Sequence, residues 1–130
     1  MAHTHYGWLV SPYSAKTRSY LTFKGVPFRD VAPSVLALEW KIKRAVGQMI
    51  MPTVQLEDGR WLQDSSDIID HFEAEHPESS ITPPGPTQRL ASSLLELFGD
   101  EWLPMAALHY RWNVPKNTEF ARQEFTKYTL

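Results

Sequence analysis

Three short segments carry residue types that could act together. Ser11–Pro12–Tyr13–Ser14 places three hydroxyls where an apolar run gives way to a helical pattern. At a strand-to-helix turn, hydroxyls and unpaired backbone N–H groups gather at a helix N-terminus, an arrangement that stabilises an anion. Pro52 stands at the start of an apolar run, Met51–Pro52–Thr53–Val54–Gln55–Leu56. A proline there blocks ladder pairing unless its peptide bond is cis or the strand bulges. Asp64–Ser65 opens a further helical pattern and offers a carboxylate, a hydroxyl and free N–H groups. The three segments together could hold a small zwitterion, its carboxylate at a helix end and its amine at Asp64.

The composition narrows the chemistry. The 130 residues contain no cysteine. That excludes a disulfide framework, an iron–sulfur site, thiolate zinc ligation and a thiol nucleophile borne by the protein, and it fits a reducing cytoplasm. His3 and His5 form a His-x-His pair without a third ligand, so no metal site is expected. A net charge of −2 gives no broad basic face for nucleic acid. The start of the chain has neither the basic residues nor the apolar run of a signal peptide, and no apolar stretch is long enough to span a bilayer. A soluble protein with no membrane partner is expected. Its size of 15.0 kDa suits one domain, or one domain and part of a second.

Elements must position these segments. Tyr6–Gly7–Trp8–Leu9–Val10 reads as a buried strand, Ser14 to Lys24 as a helix stopped by Gly25, and Val26 to Val31 as a second strand. Helical or irregular chain follows from Ser34 to Val46. Met51 to Leu56 alternates as a strand, Asp58–Gly59 reads as a two-residue hairpin turn, and Arg60–Trp61–Leu62 returns as its partner. Asp64 suits the N-cap of a helix burying Ile68, Ile69 and Phe72, with Asp67 placed for a capping box. The order β-α-β-α-β-β-α describes a small mixed α/β sheet.

Four prolines and a glycine fall within the eleven residues from His76 to Pro86. This composition break divides the chain into 1–77, a linker over 78–86, and a helical part over 87–130. Leu90, Leu94, Leu97, Phe98, Trp102, Met105 and Leu108 form one apolar stripe, interrupted at Pro104. Val114–Pro115 ends that element, and Asn117 or Thr118 suits the cap of a last short helix. One long helix and a stub cannot close a core alone. They must pack on the first part, on a second chain, or on residues beyond this chain. The stripe left uncovered predicts a homodimer or larger assembly.

The order and spacing of these cues resemble the glutathione transferases, with their thioredoxin-like N-terminal half. The resemblance covers about Tyr6 to Glu75 and extends more weakly into the helix after Pro86. It rests on Ser11–Pro12–Tyr13–Ser14 followed by Arg18, Lys24–Gly25–Val26–Pro27–Phe28, Met51–Pro52–Thr53–Val54, Asp58–Gly59 and Asp64–Ser65. It implies a βαβαββα domain followed by an all-α part, and glutathione as cosubstrate with no permanently bound cofactor. It also implies that Met51, before a cis Pro52, pairs through its backbone with the cysteinyl unit. Asp64 and Ser65 would take the γ-glutamyl end. Ser11 falls where some classes place their activating cysteine, and Ser14 is the competing hydroxyl one turn later.

The sequence departs from the family pattern in two places. The lysine that commonly meets the glycyl carboxylate has no clean match, and Lys41, Lys43 and Arg44 are only neighbours of its place. The helical part is also far shorter than the family's full bundle, so a truncation, a proteolytic fragment or a frame-altered product ending at Leu130 is suspected.

The chemistry implied is conjugation of the glutathione thiol to a small electrophile. A serine cannot act as a thiolate, which argues against thiol transfer or disulfide reduction, but it can donate a hydrogen bond that favours one. Lowering a thiol pKa from about 8.5 to about 6.5 raises the thiolate fraction at pH 7 roughly 25-fold. The accompanying fall in nucleophilicity, at a Brønsted slope of about 0.4–0.5, leaves a net gain of only about threefold. Most catalysis must come from positioning the electrophile. Two other readings share the scaffold: a non-catalytic module that binds a protein partner through its helical part, and an inactive fragment.

Overall fold

The computed structural model describes residues 2–129; Leu130, and with it the expectation about a natural terminus, lies outside the described residues. The first half forms a mixed four-stranded sheet in the order β2-β1-β3-β4. Its strands are β1 (His3–Tyr6), β2 (Phe28–Val31), β3 (Thr53–Gln55) and β4 (Trp61–Gln63). β1 runs parallel to β2 and antiparallel to β3, and β4 returns antiparallel to β3. Helices α1 (Pro12–Lys24) and α4 (Ser65–Glu75) pack on one face around Leu21, Val54, Ile68 and Phe72. The other face packs Tyr6 against Leu38 and Ile42, from a run of α2 (Val35–Ala37), a π-turn (Leu38–Ile42) and α3 (Lys43–Val46). The sheet is thus sandwiched between helices, as an α/β chain buries both faces of a sheet.

Two local expectations are corrected. The first strand is His3–Tyr6, not Tyr6–Val10. The imidazole of His5 is wholly buried and bonded to Asp30 at 2.7 Å and Thr17 at 2.8 Å, so a polar residue ahead of the apolar run is satisfied inside the core. The turn between β3 and β4 has three residues, 57–59, rather than two: the Leu56 N–H donates to the Arg60 carbonyl, and Gly59 takes φ 90°, the left-handed position such loops require.

The second half comprises α5 (Pro86–Leu97), a π-turn (Phe98–Trp102), α6 (Leu103–Asn113) and α7 (Pro115–Thr126). Pro104 lacks the N–H that residue 100 would otherwise receive, and the helix widens into the π-turn just before it. Asn117 and Thr118 do not cap α7. Their side chains instead donate to the Tyr110 and Arg111 carbonyls, which the end of α6 leaves open.

This half folds back on the sheet domain. Trp8 stacks on Tyr128 at 5.2 Å and meets Phe125 edge-on, and Arg111 Nη2 donates to the Val10 carbonyl at 2.6 Å. The proline-rich connection is fastened as well. Glu73 accepts from Lys24, Tyr20, Ser80 and the Ile81 N–H, while Lys24 also donates to the His76 and Ser79 carbonyls. The apolar stripe stays uncovered, with Leu94, Trp102 and Met105 each more than half exposed. No helix among the described residues is long and apolar enough to cross a membrane.

Candidate functional site

The turn after β1 carries the first group of candidates. Ser11 is the N-cap of α1, and its Oγ accepts the Ser14 N–H at 3.2 Å. Its own proton has no protein acceptor among the described residues, so it remains free to donate. Ser14 is in a different situation. It is wholly buried one helical turn on, and its Oγ has no partner among the described residues. Gly7 explains the burial: a Cβ there would lie 2.6 Å from Ser14 Oγ and 2.8 Å from His5 Cε1, so the strand backbone presses directly on the helix. Ser14 Oγ is thereby sealed from solvent, whereas Ser11 borders a cavity.

The Met51–Pro52 peptide is cis, and β3 begins only at Thr53, so Met51 stays outside the ladder. Asp64 caps α4 with φ 79°, its carboxylate accepting the Ser66 N–H at 2.8 Å. Ser65 is buried behind it.

These residues meet at one cavity of about 300 Å³, lined by Tyr13, Met51, Pro52, Gln63, Asp64, Ser65, Ser66, Asp100 and Glu101 among others. Tyr13 donates its hydroxyl to the Asp100 carbonyl at 2.5 Å. Burial and the neighbouring Asp100 and Glu101 carboxylates push the phenol above its ordinary pKa, keeping it a donor. Lys16 holds Asp100 at 2.7 Å and Glu96 at 2.8 Å, and Ser66 Oγ also reaches Glu96. The second-half π-turn is thereby locked over the N-termini of α1 and α4.

A second cavity, also about 300 Å³, adjoins the first and shares Tyr13 and Met51 with it. Ser11 also lines it. The rest of its wall is mostly apolar: Trp8, Val10, Pro12, Pro104, Leu108 and Phe125, with Arg111 as the one ionisable group beside the Tyr13 phenol.

The two lysines proposed for a glycyl carboxylate line neither cavity. Lys41 donates to the Tyr6 hydroxyl at 2.5 Å and sits over the Tyr6 and Trp61 rings, whereas Lys43 pairs with Glu39 across one helical turn. Both charges already have partners. Sequence reasoning missed Gln63, Ser66, Asp100 and Glu101, and gave Tyr13 no role of its own. The one usable signal was Pro104, which marks where the helix deforms to bring Asp100 inward.

The arrangement is thioredoxin-like, with a cis-proline edge facing two helix N-termini and a helical part laid across them. The family model described as glutathione S-transferase, N-terminal domain, matches residues 6–80, and the chain belongs to that family. Among solved structures it is similar to a diazinon-metabolizing glutathione S-transferase of the silkworm Bombyx mori. The TM-score is 0.74 at 21% identity, over 92% of this chain and 60% of that one. It is also similar to a glutathione S-transferase of Methylobacterium radiotolerans in complex with glutathione sulfonate, with TM-score 0.74 and 23% identity over 98% of this chain and 63% of that one. A glutathione S-transferase of Methylobacillus flagellatus with glutathione bound gives TM-score 0.67 and 22% identity, over 76% and 49% of the two chains. These likenesses show the fold. The chain spans 49% to 63% of the length of the last two and 60% of the first.

Proposed function

We propose that this protein binds glutathione in the first cavity and conjugates its thiol to a small electrophile held in the second. The observation that carries the reading is that the two cavities share Tyr13 and Met51, and that Ser11 lines the second of them. The γ-glutamyl carboxylate lies at the N-terminus of α4 beside Ser65, where free N–H groups and the helix dipole favour an anion. Its ammonium faces Asp64, with Asp100 and Glu101 on the opposite wall. The cysteinyl unit pairs with the Met51 backbone beside Pro52, which brings the thiol to the Ser11 hydroxyl. Ser11 donates to the thiolate, and the proton lost by the thiol passes to solvent.

In this reading the part over 1–77 holds the tripeptide, 78–86 is the connection, and 87–130 supplies the wall for the electrophile. Two of the solved structures to which the chain is similar hold glutathione or glutathione sulfonate, which supports the choice of ligand. A cytoplasmic location follows from the use of reduced glutathione. The uncovered stripe on α5 and α6 supports a homodimer.

The test is calorimetric titration with glutathione and, in parallel, with its S-hexyl conjugate. Saturable binding of both is expected. Binding of glutathione alone would leave a peptide site without an electrophile wall. Binding of neither would overturn the reading in favour of a protein-interaction module, for which the same exposed stripe is the candidate surface.

A further inference from the structure

We infer that the electrophile is a single aromatic ring bearing an anionic substituent, selected by Arg111. This rests on the glutathione reading above and deepens it. The second cavity, at about 300 Å³, is at the small end of ligand sites and has room for one ring with its substituents. Trp8, Leu108 and Phe125 give it apolar and aromatic walls. Such walls hold a ring but do not choose among rings.

Arg111 breaks that pattern. It is half-buried in the wall, and among the described residues it forms no ion pair; the one hydrogen bond of its guanidinium runs from Nη2 to the Val10 carbonyl at 2.6 Å. Arg18 and Arg60, by contrast, are each neutralised by an aspartate at 2.6 Å. A guanidinium has five N–H donors in one plane, so the bond to Val10 anchors the group and leaves most of the fork open. A half-buried cation in an apolar wall is incompletely solvated, and an anion arriving there restores what it lacks. A carboxylate matches the fork in two parallel hydrogen bonds.

The reaction fits a ring such as 4-(chloromethyl)benzoate. The glutathione thiolate attacks the benzylic carbon, the C–S bond forms as the C–Cl bond breaks, and chloride leaves with the bonding pair. The thiol proton goes to solvent, and nothing is oxidised or reduced. The carboxylate stays at Arg111 throughout, as a handle rather than a participant.

Binding of the conjugates tests the inference without requiring turnover. Calorimetry on the full chain would compare glutathione, S-benzylglutathione and S-(4-carboxybenzyl)glutathione. The carboxybenzyl conjugate is expected to bind about tenfold more tightly than the benzyl conjugate, the lower end of what a hydrogen bond to a charged group provides. Arg111→Gln should collapse that ratio to near one, and Arg111→Lys should keep most of it. A ratio of two affinities cancels any general weakening from loss of the Val10 contact. Equal affinities in the unmodified protein, or a preference surviving in Arg111→Gln, would overturn the inference and leave glutathione binding standing. Failure of all three ligands to bind would overturn both.

Discussion

The hydroxyl of Tyr13, at the start of α1, donates to the backbone carbonyl of Asp100 at 2.5 Å, joining residues 87 positions apart. The carbonyl is open to it because Pro104, four residues on, has no N–H to offer. One proline in the second half thus determines where the first half can grip it, and the grip sets Asp100 and Glu101 against the cavity that holds Asp64 and Ser65.

Removing that hydroxyl should loosen the site without emptying it. Tyr13→Phe is expected to cost about 1 kcal/mol of stability, the net worth of one hydrogen bond. Glutathione affinity should fall roughly fivefold, in step with a loss of that size. Urea unfolding and calorimetry read the two effects separately. An unchanged affinity would show that the π-turn has no part in ligand binding.

The capping and ligand roles of Asp64 can be separated by substitution. Asp64→Ala should abolish retention on immobilised glutathione and also cost about 1 kcal/mol as a lost cap. Asp64→Asn keeps a capping oxygen at a φ of 79° that asparagine tolerates, so the fold should survive while the ammonium loses its counter-charge. Full retention by either variant would remove Asp64 from the site.

The two serines should behave oppositely. Ser11→Ala is expected to reduce conjugation by about threefold at pH 7, the limited gain available from favouring a thiolate. Ser14→Ala removes a buried hydroxyl that has no partner, so stability should hold or rise and conjugation should be unaffected. Kinetics with a single electrophile on both variants decides the assignment, and a larger loss in Ser14→Ala would reverse it.

Acid should release the connection between the two halves. Burial alone would raise the pKa of Glu73, but hydrogen bonds from Lys24, Ser80, Tyr20 and the Ile81 N–H outweigh it and hold the carboxyl at about 2, below its ordinary 4.5. A lowered folded-state pKa contributes stability above the unfolded value, and that stability is lost as pH falls from about 4.5 through about 2. The contribution is about 3 kcal/mol. Glu73→Gln should flatten this part of the acid dependence. At neutral pH it should also destabilise by about 3–5 kcal/mol, because the Lys24 side chain is wholly buried and would lose its counter-charge. Urea titrations at a series of pH values measure both.

Sedimentation tests the exposed stripe. A dimer is expected, held through α5 and α6, and Leu94→Glu should shift it toward monomer because a charge would be buried against apolar surface. A stable pair would cover about 800 Å² on each copy. A monomer that binds no hydrophobic dye would contradict the assignment.

Much of the fold was legible because its signals are local. Gly25 ends α1 at φ 69°, Asp64 caps α4, and Pro52 marks the break before β3, as their residue types require. The β1 assignment failed for a physical reason. His5 is polar in sequence but hydrogen-bonded in space by Asp30 and Thr17, so hydropathy placed the strand at Tyr6–Val10 rather than His3–Tyr6. Lys41 and Lys43 looked available because an aromatic pair and a nearby glutamate are invisible as partners until the chain folds.

By itself the sequence determined the order of elements, the residue types at the helix starts, the cis-proline position and the absence of a protein thiol. Those depend on backbone conformation and covalent chemistry within a few residues. The tertiary structure alone decided which serine is sealed from solvent, because Gly7 lets β1 press onto α1 and buries Ser14. It alone brought Asp100 to Tyr13 and Arg111 to Val10. Contacts between residues 87 and 101 positions apart depend on how α5, α6 and α7 cross the sheet domain, and no local pattern encodes a crossing.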